Sequence, residues 1–496
     1  EVRNDLIRFG RTLFDHVNPY TGIAWRDEPA IILLNLINEG TLTRTTTGMT
    51  PRVRNTVGKA FLAFLKKRGL PAEPLNSGAH WKLFLSESGK EFFADVKKRL
   101  GLKIPLSDQN YLVPALDTRN AFDYVDAHLY WAHPSFIGSK PWQLPAFTTT
   151  QSAISAWGGT IGTIMARRIL GKPMTITEWN HCYPNPTSFD GPFLVAACSS
   201  MQDFGGLWQF AYSHSGNFYF KPGALGPFDQ NNNPVLSHAM RMGALLFLRG
   251  DVSPAPITLA FAPDVAERTI SRMALLSRVG LCWDRMSGVN AEIVLRKETA
   301  KTSAPKLIAG SSSALVRELV ASGILPAGSS DFSRNEAVSV TGELRLDTEH
   351  EIFHVVTSRS ESILMPARNE RAGNVLRVRN RDAFAAISLA AIDGAPLVRS
   401  RRMILLHLTE NKNEGAVFRD SSMTIQEKSG SPKQLLRRNR ADIFLKLKGK
   451  YKVFACSGTG KRLFELPQKP EKNGFLLGLD NASAPGGVLL YEVVRE

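Results

Sequence analysis

Short apolar runs alternate with helix-period segments along residues 1–250. Apolar residues recur at helical spacing in 52–69, 88–101, 159–171 and 233–250. The runs predicted to be strands are PAIILLNLIN (29–38), KIPLSDQN (103–110), FDYVDAHLYW (122–131), PMTITEWN (173–180) and GGLWQFAYS (205–213). Alternation of strands and helices is typical of a parallel sheet with crossover helices.

The pattern changes in the second half of the chain. Segment 253–335 combines one predicted strand, SPAPITLAFAP, with mixed helical pieces and Gly/Ser-rich loops. From residue 336 onward, short β-branched segments separated by turns predict an antiparallel β domain, most simply a sandwich. We therefore predict an α/β region (1–252), a connecting segment or small domain (253–335) and a β-sandwich-like domain (336–496).

The composition is basic, with 61 Lys and Arg against 45 Asp and Glu. A polyanionic partner, either nucleic acid or an acidic polysaccharide, would explain this charge. A merely high isoelectric point is the simpler alternative. The segment 336–496 holds 26 basic and 19 acidic residues, so the excess is spread along the chain. No helix-turn-helix, zinc-finger or RNP-like motif occurs, and we expect no nucleic-acid partner.

Cysteine spacing and hydropathy exclude further classes of protein. The cysteines, Cys182, Cys198, Cys282 and Cys456, are widely spread, which argues against a structural zinc site or a dense disulfide framework. One or two disulfides remain open. No metal-ligand spacing occurs, and we expect neither a metal nor a cofactor. No run of 18 apolar residues exists, so no membrane span is predicted.

Polar side chains lie on one face of the predicted strand 122–131. Period-2 alternation places Tyr124, Asp126, His128 and Tyr130 together, opposite an apolar face. This predicts a strand whose outer face meets helices and whose inner face enters a polar site, rather than a core strand buried on both faces. A half-exposed strand with an internally hydrogen-bonded histidine is the simpler alternative.

Two predicted strands end in glutamate. Glu178 follows Met174 and Ile176 in register, and Glu39 follows the apolar run 29–38. A single strand-end glutamate is usually a loop residue. Because parallel strands bring their carboxyl ends to one edge of a sheet, two of them form a candidate acid/base pair.

Such a pair suits the cleavage of a glycosidic bond, in which one carboxyl protonates the leaving oxygen and the other meets the oxocarbenium-like carbon. The two carboxyls must differ in protonation state, so their surroundings must differ. Tyr130 could stabilise ionised Glu178 by a hydrogen bond. Asn38 offers an amide for a sugar hydroxyl, and Trp208 offers a flat face for a pyranose ring.

Taken together, these motifs resemble glycoside hydrolase clan A. They are Asn-Glu after one strand, His-x-Tyr on a later one, then TEWN and finally GLWQF. Clan members are retaining (β/α)8-barrel (TIM-barrel) β-glycosidases with a glutamate on strand four and another on strand seven. Segment 16–40 is similar, over its whole length, to bacterial multidomain members. LRGDVSPAP (248–256) and VTGELRLD (340–347) resemble segments that follow the barrel.

The resemblance implies roles for individual residues. Glu39 matches the acid/base and Glu178 the nucleophile of a retaining double displacement, with carboxyls roughly 5–5.5 Å apart. Asn38 matches the residue that contacts the sugar 2-hydroxyl. The remaining candidates for substrate binding are His128, Tyr130, Trp208, Trp179 and Asn110. His181 and Cys182 could line a subsite, although a structural role is at least as well supported.

The implied architecture is α/β plus β. Residues 1–252 would form the barrel from about strand four onward, because only about 28 residues precede the strand that ends in Glu39. The resemblance also implies a carbohydrate substrate and a secreted or periplasmic location. The basic composition weakly suggests that the glycan is acidic. An inactive or carbohydrate-binding relative, and polyanion binding through the basic surface, remain alternatives. The oligomeric state stays open.

Overall fold

A computed structural model describes residues 2–39, 49–76, 78–108, 110, 116–283, 293–297, 306–307 and 311–496. Three parts of the predictions therefore lie outside the described residues. They are Gly40 at the end of the segment 16–40, Gln109 in the predicted strand 103–110, and much of 284–310 in the predicted connecting segment.

The chain divides into two compact units. Unit 1 comprises Glu1–His128 and Arg168–Thr177, and unit 2 comprises Leu129–Arg167 and Glu178–Glu496. The division passes through two strands, Val125–Trp131 and Met174–His181. The predicted boundaries after residues 252 and 335 stay predictions.

Unit 1 is mainly helical. Its helices are Val2–Phe14, Pro51–Lys67, Gly78–Leu100 and Leu116–Arg119, with a 3-10 turn at Trp25–Asp27. The two-residue strands Leu34–Asn35 and Leu106–Ser107 pair in parallel. Pro51 occupies the first turn of its helix, and the Thr50 hydroxyl caps it by accepting from the Val53 N–H at 3.4 Å.

Two apolar clusters hold unit 1 together. The larger joins the first and third helices to the chain around Leu106, and the smaller joins the second and third helices through Phe61, Leu65 and Trp81. A Cβ added at Gly10 would lie 2.9 Å from Leu100 Cδ2, so this glycine permits close approach of the first and third helices. The apolar residues that recur at helical spacing in 52–69 and 88–101 therefore form the buried face of each helix.

The first half of unit 2 is α/β. Its longer helices, Gly191–Met201 and Pro234–Phe247, pack closely, because Gly243 leaves room for the carbonyl of Pro192. Four parallel strands follow, in the order Lys306–Leu307, Ile293–Lys297, Thr258–Phe261 and Arg278–Leu281. The remaining helices are Thr160–Met165, Glu267–Met273 and Ser312–Ala321, with 3-10 turns at Ser188–Asp190, Gly216–Tyr219 and Leu397–Arg399.

Two large antiparallel sheets form the second half of unit 2. One has the order Glu336–Val338, Leu344–Asp347, Ile352–Val356, Ser360–Met365, Ala385–Ala391, Arg402–Leu408, Leu490–Arg495, Tyr451–Cys456 and Arg462–Glu465. The other has the order Glu370–Ala372, Leu376–Asn380, Arg440–Leu445, Gly474–Asp480 and Gln468–Glu471. A two-stranded sheet joins Asn411–Asn413 to Gln434–Leu436. A four-stranded sheet has the order Val417–Phe418, Ile425–Lys428, Ala146–Phe147 and Ser135–Phe136.

The two large sheets share one apolar core. Leu389 and Leu405 of the larger sheet belong to the same buried cluster as Val378, Ile443 and Leu477 of the smaller sheet. Inward and outward side chains alternate along Leu376–Asn380, where Leu, Val and Asn are buried and the two arginines are exposed. The predicted antiparallel region is confirmed, and its arrangement as a β-sandwich stays a prediction.

Some predictions of local structure were wrong. Among the described residues, the apolar run 29–38 is paired as a strand only at Leu34–Asn35, where its neighbour is Leu106–Ser107. The run 205–213 is a strand only over Gly206–Gln209. All four cysteines are buried and none of them is part of a disulfide, so neither of the disulfides left open by the sequence forms. The N-terminally incomplete (β/α)8 barrel expected for residues 1–252 stays a prediction.

Within the described residues, none of the helices is both long and apolar enough to span a bilayer.

Candidate active site

A buried asparagine holds the Asn38–Glu39 turn in unit 1. Glu39 has φ +50°, a left-handed conformation that is uncommon for residues other than glycine. Its N–H donates to Asn110 Oδ1 at 2.7 Å, while Asn110 Nδ2 donates to Asn38 Oδ1 at 3.1 Å. The Asn110 carbonyl accepts from the His128 N–H at 3.0 Å. Asn110, predicted to bind substrate, therefore uses its amide to fix Glu39, and its contact with substrate stays a prediction.

The Glu39 carboxylate lies beside the imidazole of His128. Glu39 Oε1 is 2.9 Å from His128 Nδ1, and His128 Nε2 is 3.2 Å from Thr177 Oγ1. The histidine is 2% exposed, whereas 38% of the glutamate side chain is accessible. One end of this pair is thus enclosed, and the other can reach a ligand.

The neighbours of Thr177 determine which nitrogen of His128 carries a proton. The Thr177 hydroxyl and Thr175 Oγ1 donate to Asp126, the latter at 2.7 Å, and the Thr177 N–H donates at 3.2 Å. An ionised carboxylate has only acceptors, so with Asp126 in this form the Thr177 hydroxyl hydrogen points at Asp126. Because the single hydroxyl hydrogen of Thr177 is used on Asp126, His128 Nε2 must donate to Thr177 Oγ1.

This assignment leaves one proton between Glu39 and His128. With Nε2 protonated, a neutral imidazole has an unprotonated Nδ1, which accepts a hydrogen bond from a protonated Glu39 carboxyl. The alternative is a charged imidazolium that donates from Nδ1 to an ionised carboxylate. Both forms hold one proton on the Glu39–His128 hydrogen bond, which is the property required of a carboxyl that donates a proton during catalysis.

The strand that carries His128 is buried on both faces, contrary to the prediction. Every residue from Val125 to Leu129 is buried, including Asp126 at 1% exposure. The polar side chains tolerate burial because threonines of the adjacent segment satisfy them. Burial, together with the charge of Asp126, also raises the pKa of Tyr124 well above its usual range.

In unit 2, Glu178 receives a hydrogen bond from a phenol. The Tyr130 hydroxyl donates to Glu178 Oε2 at 2.8 Å. The Tyr130 ring stands edge-on to His133 (centroids 5.2 Å apart) and Phe228 (5.7 Å), and Thr160 Oγ1 donates to the Tyr130 carbonyl at 2.7 Å. Packing therefore fixes the phenol, and its O–H points at the Glu178 carboxyl.

The predicted tryptophans differ in exposure. Trp208 is 46% exposed on Gly206–Gln209, and a Cβ at Gly206 would lie 2.4 Å from its Cζ3, so the glycine makes room for the indole. Trp179 is only 3% exposed, and in the described part of the chain its Nε1 has no hydrogen-bond partner. Contacts of either side chain with substrate stay predictions.

Residues just past Glu178 have structural neighbours. Asn180 Nδ2 donates to the carbonyls of Phe210 and Phe228, each at 2.8 Å, which ties the end of its strand to the loop after Trp208. His181 Nδ1 lies 2.5 Å from Asp190 Oδ1, and both side chains are fully buried. Of the two roles considered for His181, the structure supports the structural one.

Sequence reasoning missed Thr175 and Thr177. It assigned no role to the alternating threonines of TITEWN, although a T-x-T pattern beside a strand with a central aspartate is a usable signal for buried hydrogen bonds. Asp126 was placed on the polar face without a function, and only the contacts reveal that it orients Thr177.

Neither a protein-family model nor a curated protein sequence matches the chain. Solved structures with some likeness include a glycoside hydrolase family 5 mannosidase from Rhizomucor miehei, with 13% identity, TM-score 0.30 and coverage of 48% of this chain and 57% of that one. A second is an endo-beta-1,4-mannanase from Thermotoga petrophila, with 11% identity, TM-score 0.33 and coverage of 90% of this chain and 69% of that one. A third is a family 39 glycoside hydrolase from Bacteroides cellulosilyticus WH2, with 11% identity, TM-score 0.24 and coverage of 90% of this chain and 63% of that one.

The chain thus spans less than two thirds of the length of the fungal mannosidase. At these TM-scores the likeness carries no argument about activity, and the function must be argued from the site.

Proposed function

We propose that the protein is a retaining glycoside hydrolase that cleaves β-glycosidic bonds of an oligo- or polysaccharide. In this reaction Glu39 protonates the glycosidic oxygen while the Glu178 carboxylate attacks the anomeric carbon, which expels the leaving group as an alcohol. A covalent glycosyl ester on Glu178 results. Glu39 then removes a proton from water, and that water releases the sugar with its configuration retained.

The proton positions carry this proposal. The Asp126–Thr177–His128 hydrogen bonds hold one proton on the Glu39–His128 pair. The Tyr130 phenol instead donates to Glu178, which favours an ionised nucleophile. Two carboxyls with opposite protonation requirements are what glycosidic double displacement needs.

The buried partners add a positioning role to the proposal. Thr177 touches no reacting atom, but its Oγ1 accepts a hydrogen bond from His128 Nε2 and so leaves Nδ1 to share a proton with Glu39. Thr177→Val removes the acceptor at nearly constant volume, whereas Thr177→Ser keeps it. We expect the valine variant to lose much of the benefit of acid catalysis, which is about 10²–10⁴-fold in general, and the serine variant to recover most of it.

Aryl β-glycosides with good and poor leaving groups test the two roles of the glutamates. A dinitrophenyl leaving group needs little protonation, so Glu39→Gln should still form the glycosyl intermediate with it while failing on a phenyl glycoside. Glu178→Gln should abolish turnover of both, and Tyr130→Phe should lower it on both. Proton NMR of the first-formed sugar should show retention.

Unchanged turnover in Glu178→Gln would refute the nucleophile assignment. Inversion of configuration would refute the double displacement. If the unmodified chain binds glycans but cleaves none across a panel of aryl glycosides, the chain is instead a carbohydrate-binding relative without turnover.

A further inference from the structure

An exposed pair of stacked tyrosines lies in the loop that follows Gly206–Gln209 in unit 2. The rings of Tyr212 and Tyr219 have centroids 5.8 Å apart and are inclined by only 18°. They are 57% and 54% exposed, and the adjoining Phe220 is 93% exposed. Three large aromatic side chains on one short stretch form an apolar patch that a soluble protein does not normally leave to water without a use.

The loop backbone holds Tyr212 firmly. The Tyr212 carbonyl accepts from the Asn231 N–H at 3.0 Å. One residue earlier, Ala211 donates to the Phe228 carbonyl at 3.1 Å and accepts from the Gln230 N–H at 3.0 Å. A ring presented by paired backbone loses little conformational freedom on binding, which favours its use as a binding surface.

The patch is continuous with the surroundings of Glu178. The Phe210 N–H donates to the Trp179 carbonyl at 3.0 Å, directly beside Glu178 in sequence. The Phe210 ring stands edge-on to Tyr130, the tyrosine that bonds Glu178, with centroids 6.3 Å apart. Tyr212 follows Phe210 by two residues, so the patch lies on the same loop as a ring that contacts Tyr130.

The chemistry of the patch suits a sugar chain. A pyranose ring has an apolar C–H face that packs on an aromatic ring, and its hydroxyls point outward. In the described part of the chain, the Tyr212 and Tyr219 hydroxyls have no hydrogen-bond partner, so both can bond sugar hydroxyls while the rings provide stacking. A purely apolar partner would leave these hydroxyls unused.

We propose that Tyr212 and Tyr219 form a distal glycan-binding platform, and that the natural ligand is a polysaccharide chain rather than a short glycoside. This deepens the proposed function and rests on it for the direction of the chain toward Glu178. The platform extends contact beyond the sugars at the cleaved bond, which predicts tighter binding to a polymer than to its small fragments.

Affinity electrophoresis of the full chain tests the platform. We would use a Glu178→Gln background, so that polymers stay intact, with gels containing hydroxyethyl cellulose, galactomannan, xylan or polygalacturonate. At least one polymer should retard the parent. Tyr212→Ala and Tyr219→Ala should each weaken that binding by at least about fivefold, the loss expected for one buried aromatic contact. Polygalacturonate separates an acidic from a neutral ligand.

Two control variants separate ring stacking from general damage. Tyr212→Phe keeps the ring and should bind nearly as the parent does. Tyr20, which is 96% exposed in unit 1, provides a matched surface tyrosine, and Tyr20→Ala should change nothing. Thermal unfolding of each variant confirms that it is folded.

The outcomes separate the platform from the catalytic proposal. If no polymer retards the parent, or if both alanine variants bind as the parent does, the platform is refuted, whatever the turnover of aryl glycosides by the wild type. Retardation that depends on Tyr212 and Tyr219 supports the platform even if the wild type hydrolyses nothing. Such binding without any hydrolysis by the wild type would refute the proposed function and leave the platform standing.

Discussion

Protonation of His407 should open one end of the antiparallel β region at mildly acidic pH. His407 lies on Arg402–Leu408, is fully buried, and its Nε2 is 2.9 Å from Asn439 Nδ2. Asn439 Oδ1 accepts two backbone N–H groups, from Asp382 at 3.0 Å and Ala383 at 2.9 Å. These donors fix the amide orientation, so its NH₂ faces the histidine and Nε2 must be an acceptor.

The size of the effect follows from the pKa. Burial lowers the pKa of His407 from 6.5 to about 4. Below pH 6.5 the unfolded chain binds a proton that the folded chain rejects, so stability falls as the pH falls toward 4. At about 1.4 kcal/mol per pKa unit, the loss is about 2 kcal/mol at pH 5 and about 3 kcal/mol at pH 4.

Replacement by glutamine removes the titration but keeps an acceptor for Asn439. We would measure hydrogen exchange of Arg402–Leu408 by mass spectrometry between pH 7 and 4, corrected for intrinsic exchange, in the wild type and in His407→Gln. The wild type should lose about 2–3 kcal/mol more of opening free energy than the variant. His350→Gln, at an exposed histidine, is the matched control and should behave as the wild type.

Other buried histidines do not confuse the comparison. Burial also lowers the pKa values of His238 and His354 to about 4, but both residues remain in the variant and cancel in the difference. An equal loss of protection in the wild type and His407→Gln would refute the reasoning, as would protection of the wild type that is unchanged down to pH 4.

Three further substitutions test close contacts. A Cβ at Gly191 would lie 2.7 Å from His181 Cγ, so Gly191→Ala should cost about 1–3 kcal/mol, seen as a lower Tm. A Cβ at Gly373 would lie 2.3 Å from Glu361 Oε2, a carboxylate that accepts three backbone N–H groups, so Gly373→Ala should cost about 1–3 kcal/mol in urea unfolding. An unchanged midpoint in either variant would contradict these contacts. Asn110→Ala should lower kcat on aryl glycosides by up to about 10²-fold through misplaced Glu39, and full activity would show that the amide is dispensable.

Much of the local structure could be predicted from the pattern of the chain. The helix periodicity of 52–69 corresponds to Pro51–Lys67, and the alternation in 122–131 corresponds to Val125–Trp131. The β-branched segments after residue 336 correspond to antiparallel strands. In each case side-chain period and backbone geometry are coupled directly, so the signal is contained in neighbouring residues.

Residues 29–38 show where side-chain pattern stops predicting backbone geometry. Its apolar composition predicts a strand, but a strand needs a neighbour to bond, and only Leu34–Asn35 has one among the described residues. The same limit explains the error about the strand with His128. Alternation shows that polar groups share a face, but it does not show whether water or protein satisfies them.

The sequence by itself identified the candidate residues Glu39, Glu178, His128, Tyr130 and Trp208. It placed both glutamates at strand ends, whereas Glu39 lies in a turn after Leu34–Asn35 and Glu178 lies within Met174–His181. Only the tertiary structure decided how they are used. Asn110 fixes Glu39, Asp126 orients Thr177, and Thr177 selects the His128 tautomer. These bonds join residues from distant parts of the chain, and each needs its donor and acceptor within hydrogen-bonding distance. A local pattern carries no information at that distance, because the hydrogen of one threonine hydroxyl is assigned only when all its neighbours are in place.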